Sequence, residues 1–292
     1  MLPSLVYLAY AYGFYHIMKL LKIVKMKMKM KIRMPLCIIA SAYLLLHSVE
    51  MGAWGRIGHD AICHIAERNL TPKARKTIDG YLGNTSIVYW SSWMDEVRDW
   101  PEYRHTTKWH SAYVDESGEP CMGTNFKEGE YRGDAVLELT RLIGRMEDWK
   151  EMDDSTVAVG IKMMIHLVAD MHCPGHVKYP GVKGFKVIYG GNEVTYHYVW
   201  DDAVLERVHK WGFMEYGHIL GSLSRREVRS ICSGTPVDWE RENARDCRVV
   251  YDWARPGDVL GKEFNLKAKV LADRQIQKAG YRLAAVLNAI FG

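Results

Sequence analysis

A chain of 292 residues that is 48% hydrophobic and 25% charged is neither disordered nor fibrous, and it is long enough to bury one substantial core. Its net charge of +4 misleads. The first 53 residues hold seven of the 39 Lys and Arg and one of the 35 acids, so residues 54–292 carry 32 basic against 34 acidic groups, about −2. That balance excludes a global basic field for gripping duplex nucleic acid, so any action on phosphodiesters needs bound cations to supply local positive potential.

Residues 1–17 are apolar and aromatic, residues 19–33 alternate Lys with Met, Ile and Leu, and Met34 to Leu46 is a short apolar run. A basic flank followed by such a run reads as an export signal, with Met34 a candidate start. An uncleaved anchor is the alternative, although residues 2–18 are marginal for a span of about 20 residues. The expected cut follows Ala53, with Met51 larger than usual at the −3 position. The remainder, 54–292, is expected to be one exported domain, monomeric, with no stable membrane association once processed.

Residues 56–70 fit an amphipathic helix with Ile57, Ala61, Ile62, Ile65 and Ala66 on one face. Thr71 and Pro72 read as N-cap and first-turn residue of a second helix to about Leu82, closed by Gly83-Asn84. Ser91 to Trp100 is a short helix candidate ended by Pro101, with Asp95 and Arg98 one turn apart. Lys108 to Asp115, which includes His110, is expected to be extended or irregular, and residues 116–133 a loop. Asp134 caps a helix to about Trp149, and Asp154 or Ser155 caps the next. Two β-favouring runs around Gly190-Gly191 predict a small hairpin over 185–196. Helical patterns resume from Val199, Ser224 and Val237, and a last one runs from Leu266 through Leu287. The expected fold class is all-α, one mainly helical domain with a single small hairpin.

The chemistry concentrates in His166-Leu-Val-Ala-Asp170-Met-His-Cys173-Pro-Gly-His176. His166 and Asp170 are four apart, which puts them on one helix face about 6 Å apart along the axis. Pro174 and Gly175 stop the helix, so His176 arrives from the loop just past its end. One His-x-x-x-Asp pair on a helix is more often an ordinary hydrogen-bonded pair than a ligand pair. The spacing recurs, however, at His197 and Asp201. Imidazole and carboxylate at this spacing suit a borderline-soft cation such as zinc.

With Trp54, His59, Asp95 and His110 added, the order and spacing resemble the secreted zinc-dependent type I nuclease family, the nuclease S-one/P-one type that includes 3′-nucleotidases. The matching pieces are Trp-Gly-x-x-Gly-His at 54–59, Trp-Met-Asp-x-x-Arg at 93–98, Trp-His at 109–110, the run 166–176, His197 to Asp201, and the C-terminal Ala-Gly-Tyr-Arg-Leu-Ala-Ala-Val-Leu-Asn. The resemblance spans essentially all of 54–292. It implies the helical fold shared with zinc phospholipase C and three Zn2+ per chain. Asp95, His110, His166 and Asp170 would bind the first. His176, His197 and Asp201 would bind the second. His59, the bridging Asp170, and the backbone amine and carbonyl of Trp54 would bind the third, which requires a chain cut before Trp54. It further implies hydrolysis of single-stranded DNA or RNA, or of nucleotides, to 5′-phosphate products, with Asp95 orienting the nucleophile and Arg98 neutralising the phosphoryl oxygens.

Two positions depart from the family pattern. Ser111 stands where a base-stacking aromatic is expected, and Cys173-Pro-Gly-His replaces Gln-Pro-Leu-His. Base specificity is what these changes touch. Among the cysteines after residue 53, Cys232 with Cys247 is the preferred disulfide pair in an exported protein, and Cys173 reads as packing rather than a thiolate ligand. The rival readings are a zinc phospholipase C, which places its first His further from the Trp and has Glu where Asp201 stands, and a non-catalytic exported zinc-binding protein.

Overall fold

The computed structural model describes residues 54–124 and 133–292, within a compact unit that spans Met51–Gly292. The expected export signal and its cut lie outside the described residues, as does 125–132 of the expected loop. Helices dominate the described residues, as the apolar periodicity requires. None of them is long and apolar enough to cross a membrane.

The first helix, α1 (Arg56–Arg68), is followed by α2 (Pro72–Tyr81). Thr71 caps α2 by accepting from the Ala74 N–H at 3.1 Å, and Pro72 opens its first turn. Asp95 sits in the short α3 (Trp93–Val97). Asp134 caps α4 (Ala135–Arg145), which gives way to a 3₁₀ segment, Met146–Glu151, kinked at Asp148. The central helix α5 (Asp154–Met171) is capped by Asp153, one residue ahead of the expected caps Asp154 and Ser155. Its carboxylate accepts from the Thr156 N–H at 2.9 Å. From Gly160 onward nearly every residue of α5 is buried, including His166 and Asp170.

A helical run follows: α6 (Tyr196–Tyr198), a π-helical turn (Val199–Ala203) and α7 (Val204–Val208). Then come α8 (Phe213–Leu220), α9 (Arg225–Ile231), α10 (Pro236–Cys247) and the long α11 (Lys262–Phe291). Ser224 with Glu227 and Thr235 with Asp238 form capping boxes at the starts of α9 and α10. The last helix packs along α1. A Cβ on Gly280 would stand 2.6 Å from the Ile65 Cβ, so only glycine permits this approach. Ile62 and Ile65 are fully buried there, each worth about 1.5–3 kcal/mol.

The β content exceeds the single hairpin expected. Strands β1 (Ala112–Tyr113) and β2 (Val177–Lys178) pair in parallel, Ala112 opposite Val177. The hairpin itself is β3 (Lys186–Tyr189) and β4 (Asn192–Thr195), turning through Gly190 and Gly191 at φ of 62° and 85°. Two positive φ values make the primed turn that matches strand twist. A further strand, β5 (Val259–Leu260), joins β3 in parallel.

The expected Cys232–Cys247 disulfide does not form; both are free thiols. Cys247 faces a small apolar cluster with Val114, Val177, Tyr179 and Ala244, whereas Cys232 packs against the main core. Cys232 stands at the end of α9 and Cys247 in the last turn of α10, so the two side chains pack in different clusters.

Candidate metal centre

Four local devices bring the predicted site residues together. The helical period of α5 aligns His166 above Asp170, both with no exposed surface. The short β1–β2 pair draws His110, two residues before β1, against His176, one residue before β2. The π turn holds Asp201 one turn from His197, a local distortion common at functional sites. Finally, Gly55 N–H donates to the Asp201 carbonyl at 2.5 Å and so ties the residue after Trp54 to that turn.

Asp170 is the hub. One carboxylate oxygen lies 3.1 Å from His59 Nε2; the other lies 2.8 Å from His110 Nδ1 and 3.3 Å from His166 Nε2. Asp95 closes this half at 3.6 Å from His110 and 3.7 Å from His166, and Arg98 Nη1 stands 3.8 Å from Asp95. His59 Nδ1 meets the Trp54 carbonyl. The second half holds His176, His197 and Asp201. His176 Nε2 is 3.1 Å from His197 Nε2 and 3.6 Å from Asp201, and His197 Nε2 is 3.2 Å from Asp201. All nine predicted ligand residues thus form one connected set.

The hydrogen bonds fix tautomers, and the tautomers show what the set lacks. His166 Nδ1–H donates to the Ser91 carbonyl at 2.8 Å, which leaves its Nε2 lone pair aimed at Asp170 and Asp95. In the second half, His176 Nδ1–H donates to the His110 carbonyl and His197 Nδ1–H to the Gly175 carbonyl at 3.1 Å. Both Nε2 lone pairs then face each other at 3.1 Å with no proton between them. One Asp95 oxygen is likewise buried without a hydrogen-bond partner. Buried lone pairs aimed at one another or at carboxylates repel unless a cation stands among them. The residues therefore fit divalent metal.

The electrostatics agree. Burial alone would lower the His166 pKa, but the facing Asp170 and Asp95 carboxylates outweigh it and lift it from 6.5 to about 9, so this site favours positive charge. Burial also opposes the Asp170 carboxylate, yet His166 and the hydrogen bonds from His110, His166 and His59 hold it well below its usual range. In the second half, burial and the neighbouring His197 push His176 well down, and burial with Lys178 takes His197 to about 4. Burial and then Asp202 raise Asp201 well above the usual carboxylate range.

Among the described residues, three groups have ligand atoms close enough to hold an ion: His59, His166 and Asp170; Asp95, His110 and His166; and Cys173, His176 and Asp201. The third includes Cys173, which the sequence reading set aside. Asp202 was also passed over. Its carboxylate packs against Gly55 so closely that no side chain fits at 55, and burial, then Glu206, raises its pKa to about 6. Its position directly after Asp201 in the π turn was the available signal.

The S1/P1 Nuclease family model matches residues 54–292. The chain belongs to the S1/P1 nuclease family. Three curated relatives illustrate its reach. Endonuclease 4 of Arabidopsis thaliana is 24% identical over 85% of this chain and 93% of its own. Nuclease P1 of Penicillium citrinum is 24% identical over 82% and 98%. Nuclease S1 of Aspergillus oryzae is 21% identical over 86% and 96%. The S1/P1 match begins at Trp54, the residue whose carbonyl meets His59.

Proposed function

We propose that this protein is an exported nuclease that uses three Zn2+ to hydrolyse phosphodiester bonds in single-stranded DNA and RNA, releasing 5′-phosphate products, with 3′-nucleotidase activity at the same centre. The observation that carries the metal reading is the pair of fixed imidazoles, His176 and His197, facing each other with lone pairs 3.1 Å apart. Asp95, His110, His166 and Asp170 would hold one ion, and His176, His197 and Asp201 a second. His59, Asp170 and the Trp54 backbone would hold the third once residues 1–53 are removed. When bound, zinc supplies Lewis acidity toward phosphate and acidifies water at neutral pH.

The chain's own groups do the rest. Asp95 stands beside both His110 and His166 at the edge of the first half, where its carboxylate would orient the nucleophile. Arg98, anchored at 3.8 Å on Asp95, is placed to neutralise charge building on the phosphoryl oxygens. His59, His166 and Asp170 are sealed, whereas 38% of the His197 side chain and 21% each of Asp95 and Arg98 are exposed, so substrate approaches along that edge. A base must leave its stack to lie beside a recessed centre, hence the single-strand preference.

The test is incubation of the exported, processed protein with a single-stranded oligonucleotide, with and without chelator, and weighing of the products by mass spectrometry. Chelator-sensitive cleavage to 5′-phosphate ends supports the reading. Absence of cleavage by zinc-loaded protein beginning at Trp54 would sink it and make phosphatidylcholine hydrolysis the next assay.

A further inference from the structure

Cys173 is fully buried, yet its sulfur does not lie in a purely apolar setting. Its Sγ is 3.7 Å from the Asp201 carboxylate, and its sulfur, the His176 nitrogen and an Asp201 oxygen all lie within 4.8 Å of one another. Cys247 offers a contrast: it is equally buried, but it packs with Val114, Val177, Tyr179 and Ala244, with the Gln275 amide donating to its sulfur at 3.3 Å, and it belongs to no metal-capable group among the described residues. Zinc bonds of about 2.0–2.3 Å that meet near the tetrahedral angle separate ligand atoms by about 3.3–3.8 Å. The Cys173–Asp201 distance of 3.7 Å, His176–Asp201 at 3.6 Å and His176–His197 at 3.1 Å all lie near that edge length. As a neutral thiol, Cys173 donates only one long, weak S–H···O contact, to Asp201, while the Gly175 backbone N–H faces its sulfur.

We propose that Cys173 is a thiolate ligand of the metal held by His176, His197 and Asp201. The assignment rests on the metal-dependent reading above and deepens it: in this chain the second ion has a mixed sulfur, nitrogen and oxygen donor set. On binding, the S–H bond breaks, the sulfur lone pair forms the S–metal bond and the proton leaves to solvent, with no change of oxidation state. The added negative charge has a counterpart in Lys178, whose ammonium donates to the Gly175 carbonyl at 2.7 Å, within the loop between Cys173 and His176. A sulfur donor also shifts this ion's preference toward softer metals relative to an all-nitrogen-and-oxygen site.

The experiment is to load the processed protein with Co2+, measure bound metal by elemental analysis and record the near-ultraviolet spectrum. A thiolate-to-cobalt charge-transfer band is expected, lost in Cys173→Ser and kept in Cys63→Ser and Cys121→Ser. The zinc-loaded wild type should show a sulfur shell at about 2.3 Å in X-ray absorption. Full cobalt loading without the band, or a band that survives Cys173→Ser, overturns the assignment. If Cys173→Ser does not fold, the zinc spectrum of the wild type decides: a sulfur shell supports Cys173, because no other cysteine among the described residues joins a metal-capable group, and its absence overturns it. Bound metal without sulfur removes only this ligand, whereas a protein that binds no metal removes the metal reading and this assignment with it.

Discussion

The half of the centre around Asp170 and the half around Asp201 touch where His176 meets the His110 carbonyl, yet they are built differently. The first is rooted in α5, buried at His59, His166 and Asp170 with Asp95 at its exposed edge, and organised by a carboxylate that faces three imidazoles. The second sits on a loop and a π turn and opens to water at His197. The carboxylates of the first half lift the His166 pKa to about 9, while burial lowers those of the second half's imidazoles. The difference separates a rigid root from an open rim: the α5 residues His166 and Asp170 are fully buried, whereas Asp95 and Arg98 of the first half and His197 of the second reach solvent, and the proposed substrate path runs along that rim.

The sharpest way to break that comparison is to remove one hub at a time. Asp170→Asn should empty the first half and lower nuclease activity by at least about 10³-fold, beyond the 10–100-fold typical of an outer partner of a ligand. Asp201→Asn should leave the first half loaded. Metal content by elemental analysis reads the outcome, and equal loss in both variants would mean the halves are one unit. Arg98→Lys comes next. It keeps a charge but loses the planar fork, and should cost about 10²-fold in kcat with metal content unchanged.

The metal-free protein should show the contrast as opposite pH responses. His166 titrates at about 9 in the folded chain against about 6.5 unfolded, so its stabilising contribution is complete below about 6.5 and is lost as pH rises through 9. At about 1.36 kcal/mol per pKa unit that limb amounts to about 3 kcal/mol. His197 titrates at about 4, so its contribution is present above 6.5 and is lost as pH falls toward 4. Its limb is smaller, because over a third of its side chain is in water. Thermal unfolding of metal-free protein against pH should therefore peak near neutrality, and His166→Gln should remove the alkaline fall alone. A curve that declines on both sides in that variant would reject the assignment.

The two halves also differed in how far the sequence exposed them. His166 and Asp170 were legible because a helix repeats every 3.6 residues and α5 is apolar enough to mark itself. His197 and Asp201 shared that spacing, but the π turn between them has no sequence signature. Nor does the two-residue pairing of β1 with β2, which joins segments 65 residues apart in register and carries no local periodicity. The start of α5 was misread by one residue because Asp153, Asp154, Ser155 and Thr156 are all competent to cap or to accept a cap's bond. Cys232 and Cys247 pair in the sequence because the stretch between them reads as a loop, whereas it folds as α10 and the two side chains pack in different clusters. Cys173 reads as packing in the sequence, where burial and ligation favour the same small side chain; its distance from Asp201 is what carries the ligand proposal.

The smallest effect concerns the joint between the halves. The last carbonyls of α5 lack helical partners, as at any helix end, and they lie between the ligands Asp170 and His176. Side chains from other helices satisfy them. Asn243 of α10 donates to the Met171 carbonyl at 3.0 Å, and Gln275 of α11 donates to the His172 carbonyl at 3.3 Å and to the Asn243 amide oxygen at 3.1 Å. Arg282, also on α11, reaches His172 Nε2 at 2.8 Å. Asn243→Ala strips the Met171 carbonyl of its donor and should cost about 1–3 kcal/mol, a fall of about 2–4 °C in Tm per kcal/mol for a domain of this size. If the second half is mounted through this joint, the same variant should release its metal from that half at a lower chelator concentration than wild type, while the half rooted inside α5 keeps its own. Parallel weakening of both, followed by chelator titration with elemental analysis, would show instead that α5 transmits the disturbance inward and that the first half is no more rigid than the second.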